Sequence, residues 1–267
     1  MEKLLKIDKK IIYLLLIVFL ILPKFIPLNI PLSISSNTQS VYDYIEALPE
    51  GSKILLSLDL AVTSRAELSG QIFAIAEHCV EKKDKIYMIS LWDAGPMFGE
   101  QVVDAFPQLT YGEDIVNLGY SAGGETAVAF IASNILNAYP VDYRGNKTVD
   151  IPMMKDVGNI NTMDFIYCFG AGSPGPREWI RQVVTNYKTP FAAGVLTTSA
   201  AEYAPYVQAN QMIGVLGGLR GGAEYELLIG KPGASVAKMD SESIGHLYII
   251  ALIVIGNIGY FATKKKA

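Results

Sequence analysis

The chain is poor in the residues that build most catalytic and metal centres. It has two cysteines, Cys79 and Cys168, and two histidines, His78 and His246, among 267 residues. Two cysteines cannot frame a disulfide-stapled fold, and a histidine-built metal site needs more imidazoles than these. Cys79 falls in an expected helix and Cys168 in an expected buried strand, where a thiol serves as a small hydrophobe. Positive charge is also scarce: 22 Lys and Arg stand against 26 Asp and Glu, a net charge of −4. With a pI near 5.3, the sequence carries no electrostatic footprint for nucleic acid.

Apolar residues, by contrast, make up 51% of the chain, and the two ends hold much of the excess. Ile11 to Leu22 reads IIYLLLIVFLIL behind Lys3, Lys6, Lys9 and Lys10. No small-residue cleavage site follows, so residues 1–27 are expected to form an uncleaved signal anchor, although a run this short also suits a signal-peptide core. Pro23, Lys24 and Pro27 weaken the helix beyond the run. The second run, 244–263, has the length of a membrane span. Tyr260 and Phe261 sit at its aromatic-belt position, and 264–267 make a basic tail. His246 and Asn257 are polar intruders in it, while Gly256 and Gly259 offer small packing surfaces. No Lys or Arg occurs from Phe25 to Ser52. The positive-inside rule therefore predicts a two-pass protein of the cell membrane, with both termini cytoplasmic and the central domain outside.

Residues 28–52, low in charge and holding Pro and Ser, read as a spacer. From 53 to 243, apolar runs alternate with amphipathic stretches. Strands are expected at 53–60, 85–92, 114–120, 163–170 and 190–197. Helices are expected at 64–83, 95–106, after 121, and at 176–187, with a last one running from Ser199 toward the second anchor. Ser64 with Glu67 three residues on suggests a capping box for the first helix. Continuously apolar strands between helices predict a three-layer α/β/α domain with a mostly parallel sheet of about five strands. Ligands of such sheets bind at the carboxyl ends of the strands.

Three features lie there or close by. Gly119-Tyr120-Ser121-Ala122-Gly123 matches G-x-S-x-G between a strand and a helix, and resembles the nucleophile elbow of α/β-hydrolases. Ser121 would need a base. No histidine follows it before His246, so Lys155 or Lys188 would have to serve in a Ser–Lys dyad, as in crotonase-like signal-peptide peptidases, which this stretch resembles over a few residues. The other reading of Ser121 is a small residue whose hydroxyl caps a helix. Gly170-Ala171-Gly172-Ser173-Pro174-Gly175 matches G-x-G-x-x-G, but on the fourth strand and without an acidic residue about 20 positions on. Gly170, Gly172 and Gly175 with Arg177 could hold a small anion, or form a turn whose Pro176 opens a helix. Asp59 and Asp93, with Glu100, Glu113 and Asp114, could hold a hard cation, yet each suits a turn or cap, and no metal or cofactor is expected.

The stretch 211–222, QMIGVLGGLRGG, places Gly214, Gly218 and Gly222 four residues apart. On a helix they would make a smooth stripe for close packing, within the domain or between protomers.

The segments 111–125 (YGEDIVNLGYSAGGE), 150–157 (DIPMMKDV), 170–180 (GAGSPGPREWI), 211–226 (QMIGVLGGLRGGAEYE) and the second anchor resemble a family of bacterial membrane-anchored α/β proteins with no assigned activity. The resemblance implies architecture only. The expectation is a non-enzymatic scaffold or assembly subunit, with the lipid bilayer and copies of itself or other membrane proteins as partners. A membrane-anchored serine hydrolase using Ser121 and a small-anion sensor are the alternatives.

Overall fold

The computed structural model describes residues 8–25 and 30–264, the side chains through Phe261. Expectations resting on Lys3, Lys6, Pro27, Lys265 and Lys266 lie outside these residues. The chain divides into two compact units, Met1–Leu32 with Pro232–Ala267, and Ser33–Lys231. In the first unit, α1 (Lys9–Ile21) starts behind Asp8, whose carboxylate accepts a hydrogen bond from the Lys10 N–H at 2.9 Å. It passes into a 3-10 turn at Leu22–Lys24, where Pro23 removes a donor. Its 13 residues rise only about 20 Å, short of a bilayer core about 30 Å thick. The expected N-terminal membrane span is therefore not reproduced by α1 alone.

The second unit opens with a helix inside residues 28–52, where the sequence predicts a spacer. α2 (Ser36–Ala47) is capped by the Ser35 hydroxyl on the Thr38 N–H, and buries Thr38, Val41 and Ile45. Only two strong apolars, four apart, mark its inner face, so its polar composition hid it. There follow β1 (Lys53–Asp59), α3 (Arg65–Glu81), β2 (Lys85–Ser90), α4 (Gly95–Ala105), β3 (Ile115–Tyr120), α5 (Glu125–Ser133), α6 (Ile135–Ala138) and β4 (Phe165–Gly170). Next come α7 (Pro176–Trp179), a π-helical turn Ile180–Val184, α8 (Thr185–Tyr187), β5 (Phe191–Val195), α9 (Ala204–Gln208), β6 (Val215–Gly217) and α10 (Gly218–Leu228).

All six strands are parallel, in the order β3-β2-β1-β4-β5-β6. This is the doubly wound, Rossmann-like order, with its switch point between β1 and β4. The sixth strand corrects the expectation of five. β6 is three residues long and bounded by glycines, so its sequence carried no strand pattern, and the expected helix from Ser199 is interrupted by it. The sheet is buried on both faces. Leu55 packs with Val116, Leu118, Ile166 and Trp179 beneath α5 and α7. Ile54, Leu56 and Leu58 pack with Ile72 and Phe98 beneath α3 and α4. Each such aliphatic, fully buried, contributes about 1.5–3 kcal/mol.

Polar groups lock the helices on the second face. Gln71 of α3 donates to the Gly218 carbonyl at 2.6 Å. His78 of α3 accepts from the Tyr225 hydroxyl at 2.7 Å, donates to the Glu46 carboxylate at 2.9 Å, and stacks on Tyr42 at 4.8 Å. Burial holds the imidazole below its usual pKa, so the neutral ring is assigned one donor and one acceptor nitrogen to match these partners. The outer edge of β3 is closed too. Tyr143 N–H donates to the Asn117 carbonyl at 2.9 Å, and Gly119 N–H to the Asn117 side chain at 3.2 Å. That blocks addition of a further strand.

The chain ends in α11 (Ala234–Lys264), ten residues longer at its start than the expected second anchor. Its segment Ala234–Phe261 is the one helix among the described residues long and apolar enough, by length and composition, to cross a membrane. α1 lies along it. Tyr248 donates its hydroxyl to the Ile12 carbonyl at 2.9 Å and its ring sits 5.3 Å from that of Phe19. A Cβ at Gly245 would lie 3.0 Å from Leu20. The register descends α11 as it ascends α1, so the pair is antiparallel.

Candidate functional site at the carboxyl ends of the strands

Asp59 ends β1 at the switch point and is fully buried. Its carboxylate accepts from the Leu91 N–H at 2.7 Å, the Ser57 hydroxyl at 2.7 Å, the Cys168 thiol at 3.2 Å and Trp179 Nε1 at 3.3 Å. Burial pushes its pKa up to about 6 against the lowering pull of these four donors. Asp59 thus ties β1, β2, β4 and α7 together beneath the crevice.

The glycine-rich turn after β4 is closed by the protein's own groups. Glu178, buried in the first turn of α7, accepts from the Gly175 N–H at 2.7 Å and the Ser173 hydroxyl at 3.2 Å. Arg181 pairs with the same carboxylate at 2.8 Å. Trp92 leans on Gly172, where a Cβ would lie 3.3 Å from its ring, and donates Nε1–H to the Pro174 carbonyl at 2.7 Å. Gly170 lies under Pro176, with no room for a Cβ. Arg177, expected beside an anion, is paired with Glu202. Glu178 thus caps the Gly175 amide from within the turn's own helix, while Gly172 and Ser173 stay exposed.

Ser121 follows β3, its N–H donating to the Ser90 carbonyl at 2.9 Å. α5 begins only at Glu125, with Gly124 as N-cap and no side-chain cap. The hydroxyl therefore does not cap the helix. Nor is Ser121 among the non-glycine residues with positive φ, so the strained elbow turn is missing. The candidate bases lie elsewhere. Lys155 follows a turn whose Met153 N–H donates to the Gly112 carbonyl, and Lys53 at the start of β1 reaches the neighbouring Asp156 carbonyl. Lys188 sits just before β5. Both mark the amino ends of the strands, about 20 Å from the carboxyl ends across a six-residue strand. His78 is in the last turn of α3, also toward the amino ends. The Ser121–Lys155 dyad is not assembled.

The row Gly214, Gly218, Gly222 is not one helical stripe. Gly214 precedes β6, where a Cβ would lie 2.4 Å from the Asn37 carbonyl. Gly218 opens α10 with φ +49°, and a Cβ there would lie 1.9 Å from Thr197 Oγ1. Gly222 is buried in α10. The row serves packing inside this unit, which corrects its expectation as a protomer interface. Glu67, expected in a capping box, instead accepts from the Thr197 N–H at 2.9 Å and hydroxyl at 2.8 Å. A cleft of about 340 Å³ opens between α2, the Thr197–Tyr203 turn and α10. Its buried Glu224 accepts from Ser35 Oγ at 2.7 Å, Thr38 Oγ1 at 2.6 Å and Arg220 Nε at 2.8 Å. Burial raises the Glu224 pKa, and those bonds outweigh it to leave it lowered. A second cleft, about 500 Å³, lies by Lys188, Phe191 and Asn210, at the amino end of β5.

The acidic residues weighed for a cation are dispersed. Glu100 pairs with Arg144 at 2.8 Å and Asp114 with Lys85 at 2.7 Å. Among the described residues no group of three or more His, Cys, Asp or Glu could hold a metal ion. Trp92 and Glu178, which brace the glycine turn, are not among the residues the sequence singles out. A tryptophan placed directly after a strand was the visible signal for the first. Comparison with family models, curated proteins and solved structures finds no match to this chain.

Proposed function

We propose that this chain is a membrane-anchored, non-catalytic subunit that presents a doubly wound α/β domain to a membrane-associated assembly. The observation that carries the reading is the closure of the strand-end crevice by the protein's own side chains. Glu178 caps the Gly175 amide, Trp92 leans on the turn, and Lys155, Lys188 and His78 lie toward the strand ends opposite Ser121. A site evolved to bind or turn over a small molecule leaves such groups open to it.

The anchor is α11, which spans the bilayer, with α1 beside it. α1 and its 3-10 turn together rise about 25 Å, enough to cross with Lys9 and Lys10 reaching to the interface. The antiparallel pairing of α1 and α11 agrees with basic residues at the amino end of one and the carboxyl end of the other. Both tails are then cytoplasmic and the α/β domain extracytoplasmic. In sealed right-side-out vesicles, external protease should degrade the α/β domain and spare an epitope after Lys264. The opposite pattern would reverse the orientation, and release of the chain by alkaline carbonate would remove the anchor. A fluorophosphonate probe tests catalysis: the expected result is no labelling, and labelling abolished by Ser121→Ala would overturn the non-catalytic reading.

A further inference from the structure

α1 covers one side of the membrane helix, and the described residues leave most of the rest of its apolar run unpartnered. Gly245 and Tyr248 mark the face of α11 turned to α1, and Gly259 is buried. At about 100° per residue, Asn257 lies about 180° from Tyr248, on the opposite side. His246 lies about 20° from Asn257 and three turns away, on that same outer face. The two polar intruders of the apolar run therefore share one stripe. Between and around them stand Ile250 (56% exposed), Ile253 (58%) and Phe261 (62%). Both polar side chains are exposed, and neither has a hydrogen-bond partner among the described residues.

Asn257 is seven residues inside Lys264, about 10 Å along the helix. At that depth lipid offers its carboxamide no partner, and an unpaired polar group in hydrocarbon is costly. Two polar residues at unrelated angles need no common explanation, but two within about 20° of each other, directly opposite the α1 contact, do.

We infer that this stripe is the contact between two copies of the chain, paired in parallel within the membrane. The inference rests on the assembly reading above and names its interface. A second copy is the occupant that the chemistry selects. All copies insert in one orientation, so a two-fold axis along the membrane normal sets Asn257 against Asn257 and His246 against His246. A carboxamide is both donor and acceptor, as is a neutral imidazole, so each satisfies its own counterpart.

The test uses the full chain labelled at its amino terminus with donor or acceptor dye and reconstituted in phosphatidylcholine vesicles. Energy transfer is followed as the lipid-to-protein ratio rises. The wild type should show transfer well above random proximity. Asn257→Leu should weaken association about 3- to 30-fold, the range for one intramembrane hydrogen bond. Asn257→Gln should keep most of it, and Ile249→Leu, off the stripe, all of it. Unchanged thermal unfolding of the α/β domain confirms that each variant folds. Transfer no greater than random proximity, or Asn257→Leu pairing like the wild type, would overturn the inference. A stripe reserved for a different membrane protein gives the first of these results. Neither result touches the non-catalytic reading, which stands or falls on the fluorophosphonate probe.

Discussion

Asp59 shows how one side chain can look catalytic and act as a fastener. A carboxylate at a strand's carboxyl end, with its pKa raised to about 6, has the profile of a general acid, yet four donors from β1, β2, β4 and α7 enclose it. The raised folded value has a signed consequence. The folded state holds the proton more tightly than the unfolded chain, whose ordinary value is 3.8. The resulting stabilisation is complete below about pH 3.8 and is lost as pH rises through 6, a loss on the order of 3 kcal/mol. In urea unfolding from pH 4 to 7, the stability of wild type relative to Asp59→Asn should therefore fall as pH rises; a difference that grows with pH would contradict it. Asp84, also raised to about 6 by burial, adds a slope of the same sign to both proteins. The two thiols allow a second check at this scale. Cys79 and Cys168 are fully buried, and burial raises both pKa values. Native protein should resist iodoacetamide at pH 8 and react at both positions in urea; alkylation of the native chain would show a more open core.

At the scale of elements, Gly218 joins β6 to α10 in a left-handed conformation against Thr197. Gly218→Ala should cost about 1–3 kcal/mol in strain alone, read as a lowered urea midpoint. Tyr225→Phe should cost about 1 kcal/mol by leaving His78 without its donor; an unchanged midpoint would mean that α10 and α3 are not held there. The elements that could be read from sequence were the ones with long apolar runs: β1 to β5 each carry five or more successive buried residues, and the helices after β1 to β4 follow at the expected spacing. α2 and β6 could not be read this way. α2 has two strong apolars on its inner face, and β6 is a short edge strand inside a glycine run. The candidate site was legible in location but not in state. Strand-end motifs can be found by spacing, and Glu178 stands three residues beyond Gly175 as the partner of a helix cap, whereas the cover over the turn depends on Trp92 arriving from the end of β2.

At the scale of the whole molecule, the apolar ends announced an anchor, and α11 meets the length for a span while α1 alone does not. The shortness of the first run was legible, since Pro23 ends the regular helix where the sequence predicts. Tyr248→Phe should remove one bond to α1, costing about 0.6–2 kcal/mol and loosening the pair; proteolysis of the Leu22–Lys24 turn in vesicles would read it as faster cutting. The central claim is that an α/β domain with motifs of catalysis and anion binding has closed those sites on itself. Intact-mass spectrometry of the full chain in vesicles after prolonged fluorophosphonate treatment tests it most directly. The account predicts an unshifted mass, in wild type and in Ser121→Ala alike; a single adduct in wild type that vanishes in Ser121→Ala would contradict it.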